Sequence, residues 1–205
     1  EMDQVQGTLS LYASITAVYS LLPDLLESFR AQFPDVQLEL RTGAAEQAVE
    51  EVLRGEIDLA VAARPDTIPG SLAFLPLAET PLVFVASKSH PVACLSNWAE
   101  TPLVVPQTGP ARHRLLSWFK ERKLRPHIVS EVSGSEALIA LVRLGTGVGV
   151  VPRLVLERSP FSKDVQVIEG GPELNPYVVG LCATHRNLKR PAVQAMWNVA
   201  ESLQA

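Results

Sequence analysis

Hydrophobic positions at the start of the chain follow two periods, an alternating one typical of strands and a helical one. Three strands are predicted, at 8–13, 36–40 and 57–62. Two helices are predicted between them, the first carrying Leu22, Leu25, Leu26, Phe29 and Phe33 and the second Ala48, Val49, Val52 and Leu53. In the second strand the alternation places Val36, Leu38 and Leu40 inward. The third strand is almost entirely apolar, as in a parallel sheet covered on both faces, so a βαβαβ unit is predicted.

The same pattern returns after two strand-like runs within 72–86, which Glu79, Thr80 and Pro81 interrupt. The predicted elements are strands at 103–105, 128–132, 148–151, 165–168 and 177–183 and helices at 111–122 and 135–144. A final helix begins near Pro191 and carries Val193, Met196, Val199, Ala200 and Leu203 on one stripe. We infer two α/β lobes joined by two strands, near 81–86 and 177–180, with a cleft between the lobes.

The composition narrows the class of protein. Of 205 residues, 47% are hydrophobic, and 18 Lys and Arg stand against 22 Asp and Glu, for a net charge of −4. That balance gives no general attraction to nucleic acid or to an anionic membrane. No apolar run reaches the roughly 18 residues of a membrane helix, and the polar start at Glu1 is unlike a signal peptide. Cys94 and Cys182 have no paired spacing, so we expect a cytoplasmic protein without a membrane partner.

Catalytic motifs are missing from the sequence. It contains no Gly-x-Ser-x-Gly, His-Glu-x-x-His, Walker or Cys-x-x-Cys pattern, and His90, His113, His127 and His185 are scattered. The run Gly145-Thr-Gly147-Val-Gly149 leaves a helix and enters a strand, which favours a helix stop and close packing over a dinucleotide loop. Asp58 is expected to accept backbone N–H groups rather than act as an acid catalyst. We therefore expect a protein that is not an enzyme and uses no cofactor or metal.

Four predicted helix N-termini follow the carboxyl ends of strands, where open α/β sheets bind ligands. Their candidate residues are Ser14 and Thr16; Gly43, Ala44 and Ala45; Gln107, Thr108 and Gly109; and Gly134 and Ser135. The last helix has the spacing of a capping box, from Ser133 to Glu136. Ordinary capping explains any one of these starts, but four at one cleft favour a site for a small anion.

Cationic side chains add to this picture. Arg112 and Arg114 fall in the predicted first turn of a helix, where a guanidinium can clamp a carboxylate with two hydrogen bonds. Arg64, at the end of the strand that begins at Ile57, is a further candidate. Six of the 18 basic residues lie within 112–125; without interleaved aromatic residues, a solvated helix face is favoured over a nucleic-acid patch.

Several short sequence motifs resemble those of the effector-binding domain of LysR-type transcriptional regulators, and the resemblance covers nearly the whole chain from Gly7. They are Gly7-Thr-Leu-Ser-Leu, Leu53-x-Gly55-Glu-Ile-Asp58-Leu-Ala60, Ser89-His90-Pro91 and Gly145-x-Gly147-x-Gly149-x₂-Pro152. The resemblance implies two Rossmann-like lobes joined by two crossover strands, in the type 2 periplasmic-binding-protein style. Residues 1–6 would end a linker, 7–80 with 178–205 would form lobe I, and 81–177 would form lobe II.

The resemblance also implies partners. They are a small organic-acid effector, further copies of the same chain (a homodimer, or a tetramer in the full-length protein), and DNA only through an N-terminal winged helix-turn-helix that this sequence lacks. Family members commonly contact the effector through Ser or Thr at the first two helix starts. Thr16 matches at the first start, whereas Ala44 and Ala45 leave only backbone groups at the second.

Other sequence motifs are similar to those of one branch of the family. They are Thr42-Gly43-Ala44-Ala45, Arg64-Pro65-x-Thr67-x-Pro69-Gly70 and Gln107-x-Gly109-Pro110-x-Arg112-x-Arg114. That branch activates the acetohydroxy-acid isomeroreductase gene of isoleucine and valine synthesis, and its coinducers are 2-acetolactate and 2-aceto-2-hydroxybutyrate. Two alternatives remain open, a free solute-binding protein of the same fold and a small-acid enzyme.

Overall fold

Ten strands and seven α-helices make up the part of the chain that the computed structural model describes, residues 4–90 and 97–204. The strands are β1 Gly7–Ala13, β2 Val36–Thr42, β3 Leu59–Ala63, β4 Leu72–Thr80, β5 Leu82–Ser87, β6 Pro102–Pro106, β7 His127–Val132, β8 Val148–Pro152, β9 Val165–Ile168 and β10 Tyr177–Thr184. The helices are α1 Ile15–Ser20, α2 Leu22–Gln32, α3 Ala48–Leu53, α4 Pro110–Glu121, α5 Ser135–Arg143, α6 Arg153–Arg158 and α7 Pro191–Gln204. Cys94 and Pro91, which the sequence analysis singled out, lie outside the described residues.

All the predicted strands and helices are present, but α6 was missed and the single helix predicted between β1 and β2 is divided into α1 and α2. Helices α1 and α6 are each six residues long. No residue of α6 is buried, and on α1 Ile15 and Tyr19 are exposed. A six-residue helix spans fewer than two turns, so the helical period of apolar residues on which sequence-based prediction depends repeats too few times to be recognised.

The chain divides into two compact units, unit 1 with residues 1–78 and 178–205 and unit 2 with residues 79–177. In unit 1 the strand order is β2-β1-β3-β10-β4. Strand β1 is parallel to β2 and β3, which confirms the predicted parallel βαβαβ start, while β10 is antiparallel to β3. Alternate residues of β1 enter different cores: Leu11 packs with α2 and α7, and Tyr12 packs with α3.

Unit 2 repeats this architecture with its own sheet, in the order β7-β6-β8-β5-β9. Strand β6 is parallel to β7 and β8, whereas β5 is antiparallel to β8 and β9. Phe119 of α4 is buried with Phe84 and Trp98 in one core, and Leu138 of α5 is buried with Val151 in another. Each unit is thus a sheet between two apolar layers.

Three leucines predicted to face inward are exposed instead. Leu40 is 43% exposed, Leu53 41% and Leu203 46%. Leu40 lies on β2, the outer strand of its sheet, Leu53 is the last residue of α3, and Leu203 lies in the last turn of α7. Edges and ends lack neighbours on one side, so periodicity alone overestimates burial there.

Among the described residues, no helix combines the length and the hydrophobicity needed to cross a bilayer.

Candidate functional site

The two helix starts predicted in unit 1 lie side by side. Strands β1 and β2 pair in parallel with Ala13 opposite Thr42, and the Gly43 N–H donates to the Ala13 carbonyl at 3.1 Å. Helix α1 begins two residues after Ala13, and a 3₁₀ turn begins at Ala45. The fold therefore brings Ser14 and Thr16 to the same edge of the sheet as Gly43, Ala44 and Ala45.

Ser14 is the N-cap of α1. Its hydroxyl oxygen accepts the Ala17 N–H at 3.2 Å, and its side chain is buried together with Thr16. The ordinary capping role considered for this residue is therefore confirmed. Because the Ser14 oxygen satisfies the Ala17 N–H, that donor is engaged within the protein and a ligand would have to use other groups at this helix start.

Tyr12 shapes the second helix start, and the sequence analysis did not single it out. Its hydroxyl donates to the Ala44 carbonyl at 3.0 Å. Burial, reinforced by the carboxylates of Glu51 and Glu46, raises the pKa of Tyr12, so the phenol stays a donor. A Cβ on Gly43 would lie 2.1 Å from the Tyr12 hydroxyl oxygen, which explains the glycine. No sequence signal marks this contact, since it joins positions 32 residues apart.

The two helix starts in unit 2 are also neighbours. Strands β6 and β7 pair in parallel with Pro106 opposite Val132, and the Gln107 N–H donates to the Val132 carbonyl at 2.9 Å. The N-caps are Gly109 for α4 and Gly134 for α5. Gln107 and Thr108 are exposed, and Ser135 is half-buried.

The N-cap of α5 is Gly134 and not Ser133, so this helix starts one residue later than the predicted capping box from Ser133 to Glu136 requires. Gly134 has φ 91°, a backbone conformation that glycine adopts without strain. Gly109 has φ 98° and makes the same kind of turn into α4.

Arg112 and Arg114 already have acceptors within the protein. Arg112 donates through Nη1 to the Pro106 carbonyl at 3.0 Å and pairs with Glu131 at 3.3 Å. Arg114 donates to the carbonyls of Asn175 and Pro176 at 3.0 and 2.8 Å, directly before β10. Arg112 is the third residue of α4, as predicted, but Arg114 is the fifth and lies beyond the first turn. Arg114 therefore anchors a loop in this structure.

Arg64 follows the last residue of β3. Its backbone N–H donates to the Val178 carbonyl at 2.7 Å, and the residue is exposed. Since β3 is parallel to β1, Arg64 lies at the same end of the sheet as Ser14 and Gly43.

Asp58 is held by structural contacts, as predicted. Its carboxylate accepts the Ser10 N–H at 2.9 Å and pairs with Arg190, and its own N–H donates to the Ser10 hydroxyl at 2.9 Å. Burial alone would raise the pKa of Asp58, but the Ser10 and Arg190 contacts outweigh it and lower that pKa. The carboxyl is therefore ionised at neutral pH and has no proton to give as an acid catalyst.

The reactivity of Cys182 and the possibility of a metal site both bear on catalysis. Burial raises the pKa of the Cys182 thiol to about 12, so this cysteine is not a nucleophile at neutral pH. Within residues 4–90 and 97–204, no cluster of three or more His, Cys, Asp or Glu side chains has the geometry to hold a metal ion.

The basic stretch 112–125 ends on a solvent-facing surface. Lys120, Arg122, Lys123 and Arg125 are exposed. The Arg122 guanidinium lies 4.1 Å from the centre of the Trp118 ring, so this tryptophan face is covered by the protein's own cation.

Two α/β units, each with neighbouring helix starts at the carboxyl ends of parallel strands, define a two-unit α/β protein with the geometry of a ligand-binding domain. A family model described as the LysR substrate binding domain matches residues 2–204. The chain belongs to this family.

Two similar proteins are transcriptional activators. The chain is 36% identical over 204 residues to the HTH-type transcriptional activator IlvY of Salmonella typhimurium strain LT2, covering 95% of this chain and 69% of that protein. It is 32% identical over 211 residues to the IlvY activator of Haemophilus influenzae, covering 98% and 71%. These names favour a regulator over the solute-binding and enzyme alternatives.

Solved structures confirm the predicted fold of two Rossmann-like lobes in the periplasmic-binding-protein style. The effector-binding domain of QuiR, in complex with shikimate, aligns with a TM-score of 0.80 and 22% identity over 97% of both chains. The regulatory domain of Synechocystis CcmR, in complex with 2-PG, aligns with a TM-score of 0.77 and 20% identity, again over 97% of both.

Proposed function

We propose that this chain is the effector-sensing domain of a LysR-type transcription activator that controls genes of branched-chain amino acid synthesis. The observation that carries the proposal is the 36% identity to IlvY activators over 95% of the chain. The proposed effector is a small carboxylate, 2-acetolactate or 2-aceto-2-hydroxybutyrate. The protein would act in the cytoplasm. It would contact DNA through a helix-turn-helix domain, because the names of its relatives describe them as HTH-type activators.

The proposed binding groups are those at the paired helix starts. In unit 1 they are Ser14, Thr16, Gly43, Ala44, Ala45 and Arg64, and in unit 2 they are Gln107, Thr108, Gly109, Arg112, Arg114, Gly134 and Ser135. Backbone N–H groups at a helix start favour a carboxylate through hydrogen bonds and the helix dipole. Effector binding at these groups would stabilise the effector-bound conformation of the domain, which is the signal the regulator would transmit.

Arg112 and Arg114 enter the proposal with different roles. The Arg112 pair with Glu131 is partly exposed, with side-chain exposures of 24% and 48%. Such a pair is weak, so a ligand carboxylate can replace Glu131 as the partner of the guanidinium. Arg114 contributes as a clamp only if the Asn175 and Pro176 carbonyls release it; otherwise it positions the loop before β10.

Self-association is part of the proposal. Ile15 and Tyr19 on α1 are 47% and 62% exposed, and Leu40 is exposed on the outer strand β2. Ile15 and Tyr19 are four residues apart and so lie on one side of α1, which is the surface where we place a second copy of the chain.

The test is calorimetric titration of the chain with both candidate effectors, with pyruvate and valine as control ligands. Selective binding of a candidate effector is expected. Arg112→Ala or Arg114→Ala should weaken it by about 1.5–3 kcal/mol where the guanidinium pairs with the carboxylate. Arg158→Ala, an exposed arginine of α6, is the matched control and should leave affinity unchanged.

Two results would count against the proposal. Unchanged affinity in both Arg112→Ala and Arg114→Ala would remove the clamp. No binding of either effector to a folded chain would remove the pathway assignment, while the family membership would stand.

A further inference from the structure

A groove of about 790 Å³ lies in unit 1, away from the paired helix starts. Its lining includes three arginines, Arg54, Arg186 and Arg190. Strand β10 is antiparallel to β3 and ends at Thr184. The groove therefore lies at the amino end of β3, whereas Ser14 and Gly43 lie at the carboxyl ends of β1 and β2.

The charged side chains that line this groove are basic, although the net charge of the whole chain is −4. Of the described residues that line it, three are arginines and none is Asp or Glu, although acidic residues outnumber basic ones by 22 to 18 in the chain. Ser71, Thr184 and Asn187 add polar side chains. The 41% exposed side chain of Leu53 adds an apolar wall.

Two of the arginines are held in place by carboxylates and are still accessible. Arg190 donates to Asp58, which the Ser10 N–H fixes in turn, and the Arg190 side chain remains 47% exposed. Arg54 pairs with Glu50 at 2.6 Å and remains 58% exposed. A guanidinium has five N–H donors in a rigid fork, so one carboxylate does not use them all.

Arg186 completes the set from the segment between β10 and α7, where it is exposed. The three arginines against the two carboxylates of Glu50 and Asp58 give 3 − 2 = +1. One positive charge is therefore left over beside two oriented guanidiniums.

We propose that this groove is a second binding site, which takes a small anion with two or more negative charges. Such an anion can contact more than one guanidinium at once, with the paired hydrogen bonds that arginine makes to phosphoryl and carboxylate oxygens. The groove lies at the opposite end of the unit 1 sheet from Ser14, Gly43 and Arg64, and anion binding there does not depend on these residues. Binding there gives the domain a second input besides the effector.

The test is calorimetric titration of the chain with pyrophosphate and, separately, with citrate at low ionic strength. Binding of at least one anion is expected, and the tighter of the two identifies a phosphoryl or a polycarboxylate ligand. Arg186→Ala and Arg54→Ala should each weaken binding by roughly tenfold, the loss typical of one charged hydrogen bond. Both side chains are exposed, so the variants should fold.

Arg30→Ala is the matched control, because Arg30 is an exposed arginine at the end of α2 outside the groove. It should leave anion binding unchanged. Absence of binding by both anions, or equal weakening by Arg30→Ala, would overturn the proposal. Effector affinity measured on Arg186→Ala should match that of the parent chain; a parallel loss would show that the two sites are one.

Discussion

At the scale of single residues, Asp58 shows how one carboxylate connects distant parts of unit 1. Its carboxylate accepts the N–H of Ser10 in β1, and its own N–H donates to the Ser10 hydroxyl. The carboxylate also pairs with Arg190, directly before α7. Its pKa is lowered in the folded chain because these contacts favour the ionised form. The carboxylate is thereby both a structural tie between β1 and the start of α7 and the anchor that orients one arginine of the anion groove.

This pKa shift predicts a pH-dependent stability. A lowered folded-state pKa contributes stability above the unfolded value of 3.8, and that contribution is lost as the pH falls through the lower folded value. Asp58→Asn should therefore lower the free energy of unfolding at pH 7 by about 1–2 kcal/mol. The difference from the parent chain should shrink as the pH falls below about 4.

The measurement is urea unfolding of both chains at pH 7 and in the acid range. Glu27→Gln removes an exposed carboxylate of α2 and is the control for a general charge effect. A difference between Asp58→Asn and the parent that stays constant across this range would show that the Asp58 contacts do not depend on its charge.

At the scale of elements, glycines decide how closely helix α5 approaches strand β8. Gly145 ends α5 with φ 83°, and a Cβ on Gly149 would lie 2.3 Å from Leu138 Cδ2 and 2.9 Å from Val142 Cγ2. The interpretation of the Gly145–Gly149 run as a helix stop followed by close packing is confirmed. The spacing of these glycines resembles that of a nucleotide-binding loop because close packing and nucleotide binding both need backbone positions without a side chain.

Gly149→Ala should destabilise the chain by about 1–3 kcal/mol, since the buried Leu138 and Val142 have to leave their positions. Gly70→Ala provides the comparison, because a Cβ there meets no atom within 4 Å. Thermal unfolding of the two variants beside the parent chain checks this. Similar melting temperatures for all three would mean that α5 can move away from β8 at little cost.

At the scale of the whole molecule, the two units differ in how the chain builds them. Unit 2 is one continuous segment, residues 79–177, which holds all five strands of its sheet and both of its apolar cores. Unit 1 needs both ends of the chain, because β10 lies between β3 and β4 and α7 packs with α2.

We therefore expect a fragment of residues 79–177 to fold alone, with a cooperative thermal transition seen by circular dichroism. A fragment of residues 1–78 should not, because β4 has no neighbouring strand without β10. Joining 1–78 to 178–205 through a Gly-Ser linker should restore folding. A fragment 79–177 without a cooperative transition would show that unit 2 depends on unit 1.

The sequence predicted the order of elements well where periodicity was strong, as in the apolar strand β3 and the stripe of α7. It failed for a helix of fewer than two turns, as in α6, and where an edge leaves an apolar residue exposed, as at Leu40. Two of the helix starts were predicted close to their observed positions from local signals alone. Ser14 is the N-cap of α1, and the predicted start at 107–110 contains Gly109, the N-cap of α4.

For the candidate site, the sequence alone determined which residues are candidates and the family to which they point, because turn, cap and motif signals are local. The tertiary structure decided their partners. It bonded Tyr12 to Ala44, directed Arg114 to the Asn175 and Pro176 carbonyls, and placed Arg54 and Arg186 in one groove. Such contacts join positions far apart in the chain, and they depend on strand order and register, which no local pattern of residues encodes.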